Sequence, residues 1–176
     1  MARRKASPLA LLIVCAAIGA CVVNLSFDMD QRGLSLVSPA AGAISQSAIV
    51  DLGSYEDIRS HRNDIRNLDL EAVDVTITEV KSDNAAKMLS LTLTLRKSLV
   101  DPPENDVRVG DLSAFQVLNN STRRIGGNPQ LDAFLLDRLH DGGKFYLVVT
   151  GSTDGKTDVV MDVNLHASMG YDSGLF

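Results

Sequence analysis

From Val159 to Met169 the chain alternates without a break. Val159, Met161, Val163, Leu165, Ala167 and Met169 interleave with Val160, Asp162, Asn164, His166 and Ser168. A period of two sends successive side chains to opposite faces of an extended backbone, so this segment belongs in a strand with one face in a core. The rhythm recurs upstream. Val73, Val75 and Ile77 alternate with Asp74, Thr76 and Thr78, and Leu89, Leu91, Leu93 and Leu95 alternate with Ser90, Thr92, Thr94 and Arg96. Phe145, Leu147 and Val149 repeat it before Gly151-Ser152-Thr153-Asp154-Gly155. Turn residues at Lys81-Ser82-Asp83-Asn84 and at 151–155 make each adjacent pair of strands an expected antiparallel hairpin.

The remaining segments fit the same class. Val23, Leu25, Phe27 and Met29 alternate with polar residues, Gln31-Arg32-Gly33 reads as a turn, and Leu34–Val37 as a short return strand. Ser38–Gly42 is expected to be a loop and Ile49–Leu52 a short strand broken by Gly53. Ser54 stands where it could cap a helix, with Asp57 three residues on. Tyr55, Ile58, Arg62 and Ile65 then predict an amphipathic helix of about three turns. Asp101–Asp106 reads as a stiff acidic loop, and Val107–Leu118 as one or two strands interrupted near Gly110-Asp111. Asn119–Thr122 and Gly126-Gly127 read as polar loop. Asn128-Pro129 opens a second helix whose buried stripe is Leu131, Phe134, Leu135 and Leu139, ended by Gly142-Gly143. These patterns predict one antiparallel β-sandwich or partly closed barrel with two short helices, since no strand–helix alternation persists long enough for a parallel sheet.

The N-terminus differs in kind. Arg3, Arg4 and Lys5 precede an apolar run, Leu9–Ile18, of signal-peptide length. From Pro8 to Val23 the stretch is shorter than the roughly 20 residues of a spanning helix, so a removed leader is expected. Ile18-Gly19-Ala20-Cys21 resembles the lipobox of bacterial lipoproteins: an aliphatic residue, two small residues, then cysteine. The resemblance covers only the first 21 residues. It implies a signal peptide over residues 1–20, lipidation at Cys21 with palmitate-type acyl chains, and a lipid-anchored domain over 21–176. It also implies a bacterial cell-envelope address. Val22 in place of the Asp that retains some lipoproteins in the inner membrane points to the outer one.

Charge and cysteine content follow from that processing. The formal charge of −5 becomes about −8 when Arg3, Arg4 and Lys5 leave, which argues against a nucleic-acid partner and against a polybasic membrane grip. Cys15 leaves with the leader and Cys21 is consumed, so no disulfide or thiolate chemistry is expected.

The search for chemistry yields little. His61, His140 and His166 are far apart and lack the spacing of a helical zinc site. His140 suits a helix C-terminus, and His166 a sheet surface beside Asp162 and Asn164. Asp28, Asp30, Asp101, Glu104 and Asp106 offer oxygens but no EF-hand spacing. No Gly-x-Ser-x-Gly elbow occurs, Gly142-Gly143-Lys144 is no phosphate loop, and Asp74 with Glu79 cannot be paired from sequence. No cofactor or metal is implied. The expectation is a non-enzymatic envelope lipoprotein, an adaptor binding a protein, peptide or glycan and reaching the membrane through its lipid. A carrier of apolar ligands, suggested by Met88, Met161, Met169, Phe145 and Tyr146, is the alternative, and an envelope hydrolase the third reading.

Overall fold

A computed structural model describes residues 22–172, with side chains placed for 23–171. Eight strands account for most of it: β1 (Val22–Ser38), β2 (Gly42–Asp51), β3 (Ile65–Val80), β4 (Met88–Arg96), β5 (Val107–Gln116), β6 (Ser121–Gly126), β7 (Lys144–Thr153) and β8 (Thr157–Asp172). Two helices interrupt them, α1 (Glu56–His61) and α2 (Pro129–His140). The strands form two four-stranded antiparallel sheets, ordered β1-β8-β3-β6 and β2-β7-β4-β5. The expected β-sandwich with two short helices is what the chain forms. The sheets do not close into a barrel.

The connectivity corrects both expected hairpins. β3 and β4 lie in different sheets, as do β7 and β8. Only β4 and β5 are consecutive strands that pair with each other. A period-two pattern marks a buried face, and two facing sheets bury the same kind of face. The corners decide instead. The 81–87 connection is tied to the start of β8: the Lys81 amide donates to the Asp158 carbonyl, and those of Ala85 and Ala86 to the Lys156 carbonyl. At the β7–β8 corner the buried hydroxyls of Thr153 and Thr157 bond at 2.6 Å, bracing a step between sheets.

Other differences are local. Gln31-Arg32-Gly33 is a bulge and not a turn, because both flanks of β1 pair with β8 and the register slips between Gln31 and Leu34. Gly33 takes the left-handed conformation there (φ 72°), and its amide donates to the Asp162 carboxylate at 2.9 Å. β2 begins at Gly42, well before Ile49. α1 is shorter than expected: the Ser54 hydroxyl donates to the Asp51 carbonyl in place of capping the helix, and Ile65 already belongs to β3. Residues 121–126, expected as loop, form the edge strand β6, whose only large apolar residue is Ile125.

α2 matches its sequence. The Asn128 side-chain oxygen accepts from the Gln130 and Leu131 amides, Leu131, Phe134, Leu135 and Leu139 are buried, and Asp132 accepts from the Leu70 amide of β3 at 2.8 Å. Phe134 meets Phe145 edge-on at 5.6 Å. Between the sheets lie Met29, Leu36, Val73, Val75, Ile77, Leu93, Leu95, Leu147, Val163 and Met169, each at most 1% exposed. Enclosing one such large side chain contributes about 1.5–3 kcal/mol, and this shared interior is what holds the sheets face to face.

The antiparallel registers give the sandwich two unlike ends. One carries the connections at 39–41, 81–87, 117–120 and 154–156, and the other those at 52–64, 97–106 and 127–143.

Candidate functional site

A chain of ionic contacts crosses the outward face of the β1-β8-β3-β6 sheet. Alternation points Asp28, His166 and Asp74 away from the core, and Arg124 joins them from the edge strand. His166 Nδ1 lies 2.7 Å from Asp28 and Nε2 lies 2.9 Å from Asp74. Asp74 then receives two bonds from the Arg124 guanidinium, at 2.9 and 3.0 Å. The hydrogen bond to Asp74, reinforced by that to Asp28, raises the His166 pKa against a smaller opposing effect of burial. Both ring nitrogens are engaged by carboxylates, so neither is free to take a proton from a nucleophile. The arrangement braces four strands.

The second sheet is braced at one border. Arg96 Nε and Nη2 donate to Asp106 at 2.6 and 2.8 Å, and Thr94 adds a third bond at 3.0 Å. Thr92 donates to Asp111, which also pairs with Arg108. Lys97 reaches Asp137 on α2 at 2.8 Å. The bonds from Lys97 and then Arg138 lower the Asp137 pKa to about 2.

The acidic residues singled out in the sequence therefore divide between distant places. Asp28 and Asp30 sit on the first sheet, bonded to His166 and Arg32, while Asp101, Glu104 and Asp106 belong to the 97–106 loop of the second. Among the histidines, His61 stacks on Tyr171 with ring centroids 3.9 Å apart, and His140 is exposed in the last turn of α2. Asp74 does not meet Glu79, which pairs with Lys81. Cys21 and the Ile18-Gly19-Ala20 box lie outside the described residues.

What the sequence reading missed is the placement of apolar residues on the outside. Val37, Ile49, Met88, Leu99, Val100 and Leu118 are exposed, Val100 by 91% and Leu118 by 59%. Leu99 and Val100 occupy the two central positions of a turn closed by the Asp101 amide on the Ser98 carbonyl, at 3.0 Å. Such positions ordinarily hold Gly, Pro, Asn or Asp, and an apolar pair there was the available signal. At the other end, Lys87, Met88, Gln116, Val117 and Leu118 line an open cavity of about 230 Å³.

No protein family and no curated sequence matches the chain. Among solved structures it is similar to the decameric BFDV capsid protein, with 7% identity and a TM-score of 0.43 over 84% of this chain and 99% of that one. It is also similar to the Desmodium yellow mottle tymovirus structure, with 8% identity and a TM-score of 0.39 over 98% of this chain and 95% of the other. A semi-empty virus-like particle of the prawn Macrobrachium rosenbergii nodavirus aligns with 7% identity and a TM-score of 0.38, over 89% and 96% of the two chains.

Several expectations are corrected by these findings. The structures to which the chain is similar are a capsid protein and virus particles, not lipid-anchored adaptors of a bacterial outer membrane. The lipoprotein function, the membrane and envelope partners and the envelope address therefore do not stand. The exclusion of nucleic acid rested on net charge alone, −5 for the whole chain, and does not stand with them. The lipid-carrier alternative fails on packing. Met161, Met169 and Phe145 are fully enclosed core residues, and Met88 faces outward at the rim. No helix among the described residues is long and apolar enough to cross a membrane.

Proposed function

We propose that the chain is a structural subunit that associates with copies of itself into a closed, capsid-type shell. The carrying observation is the strand order. Sheets ordered β1-β8-β3-β6 and β2-β7-β4-β5, with six of the eight strands paired only to non-consecutive neighbours and β4–β5 the one shared hairpin, make the double-Greek-key jelly roll. That fold builds viral shells as well as lectins and cupins, so the step from fold to role is one of analogy.

The surface favours the shell among these. The side chains between the sheets are almost wholly enclosed, while large apolar residues are displayed at the two ends and along the borders. Exposed apolar groups gathered in this way mark protein–protein contact. Polar braces on both outer faces keep each subunit rigid, which limits the ordering cost of association.

Sedimentation and negative-stain microscopy of the purified full chain test the reading. Closed particles of uniform size, growing in with concentration, are the expected result. A single monomeric species at every concentration and ionic strength tried would overturn it.

A further inference from the structure

The two apolar ends of the sandwich are shaped as opposites, one a projection and the other a recess. β4 runs between them: Met88 begins it beside Gln116 of β5, and Arg96 ends it just before the 97–106 loop. Nine residues at about 3.4 Å each set the two features roughly 27 Å apart, so the projection cannot reach the recess of its own chain.

The projection is Leu99 and Val100 at the tip of the Ser98–Asp101 turn. It is stiff. Pro102 and Pro103 follow at once, a short turn of 3₁₀ helix spans Pro103–Asn105, and the Asp106 carboxylate at its base is clamped by Arg96 and Thr94. A rigid apolar tip loses little conformational freedom when it is buried, which favours binding. Around it stand carboxylates: the half-buried Asp101 is adjacent, and Glu104 is exposed in the same loop.

The recess is equally fixed. The Val117 amide donates to the Lys87 carbonyl at 2.9 Å and the Leu118 amide to Gln116 at 3.1 Å. The Asn120 amide reaches the Ile77 carbonyl at 2.7 Å, and the Asn119 side chain accepts from the Val80 amide at 2.7 Å. The Asp154 carboxylate accepts from the amides of both Lys87 and Met88. Met88 and Leu118 supply apolar walls to the roughly 230 Å³ opening, and the exposed Lys87 stands at its mouth. Asp154 is the carboxylate near Lys87, and its oxygen is already occupied by two amides.

We propose that the Leu99-Val100 tip of one copy docks in the Met88–Leu118 recess of the next, with Lys87 facing Asp101 and Glu104 of the incoming loop. The occupant is a second copy of this chain: shape, apolarity and charge sign match across the two ends, and both halves of the contact are rigid before they meet. The contact is head-to-tail. Head-to-tail contacts close into a ring when the rotation between neighbours permits, and otherwise run on as a filament. This inference rests on the self-associating reading above and names the contact it uses.

Two cysteine variants test it, made in a chain carrying Cys15→Ser and Cys21→Ser. Val100→Cys and Leu118→Cys are purified separately and then mixed under mild oxidation. A disulfide-linked dimer in the mixture, with far less in either variant alone, is the expected result. In parallel, Val100→Asp is expected to remove assembly seen for wild type while leaving thermal unfolding unchanged, since the side chain is almost wholly exposed. Lys87→Glu is expected to weaken assembly, and combining it with Asp101→Lys and Glu104→Lys to restore it. If wild type forms particles, Val100→Asp forms them equally well and no mixed disulfide appears, the docking is wrong and self-assembly stands. If wild type stays monomeric yet the mixed disulfide forms, the contact stands and the shell does not. Absence of both overturns both.

Discussion

The two sheets solve the same problem with different chemistry. Each must hold its strands in register on a face that water can reach. The β1-β8-β3-β6 sheet does so with a histidine shared between two carboxylates and an arginine at the edge, spread over all four strands. The β2-β7-β4-β5 sheet concentrates its ties at the β4–β5 border, where arginine meets aspartate directly. The first brace depends on a histidine whose pKa its carboxylate partners raise, and the second on carboxylates whose pKa their hydrogen-bond partners lower. The first brace therefore weakens as pH rises through the histidine's pKa, and the second as pH falls below the usual carboxylate range.

The largest expected effects test whether backbone contact matters more than these braces. Two glycines, Gly127 just past β6 and Gly151 in β7, are pressed against the backbone of a neighbouring strand. A Cβ at Gly127 would lie 1.4 Å from the Leu70 carbonyl oxygen, and one at Gly151 2.0 Å from that of Ser90. Gly127→Ala must push the chain off β3 and break the bond from its own amide to Glu71, an expected loss of about 3 kcal/mol or more, beyond ordinary overpacking. Gly151→Ala should cost about 2 kcal/mol by the same mechanism. Gly126→Ala, with open space around it, serves as the control and should change stability little. Urea midpoints with unchanged slopes measure all three. Equal midpoints for Gly126→Ala and Gly127→Ala would show that the crossing is looser than described.

The brace comparison itself is sharpened by two neutralising changes. Asp106→Asn strips charge from a pair whose side chains are only 14% and 8% exposed, whereas in Asp74→Asn the arginine partner is 62% exposed. Screening by water makes the second pair the weaker one, so Asp106→Asn should lower Tm more. The reverse order would mean that the histidine chain, through its length, outweighs burial.

Dependence on pH separates the sheets further. His166 has a folded pKa raised above its ordinary value near 6.5. Its stabilising contribution is then complete below that value and is lost as pH rises through the folded pKa. The carboxylates of Asp106, Asp111 and Asp137 are depressed, so theirs is complete above the usual carboxylate range and is lost as pH falls, for Asp137 toward about 2. Unfolding free energies of wild type should decline from pH 6.5 upward, and in His166→Gln that decline should flatten while the acid limb stays. An unaltered alkaline slope in the variant would remove His166 as its source.

Much of this was readable from residues, and the unread part has a physical pattern. The alternations at 73–77, 89–95 and 159–169 name strands and their buried faces because burial is written in side-chain polarity. Sheet membership is not written there. Val75 and Leu93 face the same interior from opposite sides, and only contacts such as Thr153 with Thr157 reveal which corner steps across. β6 went unseen because an edge strand with one buried contact, through Ile125, needs little apolarity. His166 read correctly as a surface residue, but its two partners come from positions 28 and 74, far away in sequence. The Leu99-Val100 tip was visible as an apolar pair where turns prefer polar residues, and became informative only once the recess at the other end was located.

The smallest expected effect concerns strain confined to the second sheet. Ala114 sits at φ 48°, in β5, where pairing with β4 slips register between Leu89 and Leu91. A left-handed conformation costs a residue bearing Cβ about 1–2 kcal/mol, and glycine avoids it. Glycine also brings extra freedom to the unfolded chain, a loss of roughly 0.5–1 kcal/mol. The difference favours Ala114→Gly by about 0.5 kcal/mol, a small rise in the urea midpoint. The bulge in the first sheet already uses this solution, since Gly33 occupies the equivalent kind of position in β1. Were Ala114→Gly to destabilise the protein instead, the Ala114 methyl would be contributing packing that the glycine bulge of β1 does without, and the two sheets would differ in how they tolerate irregularity as well as in how they hold charge.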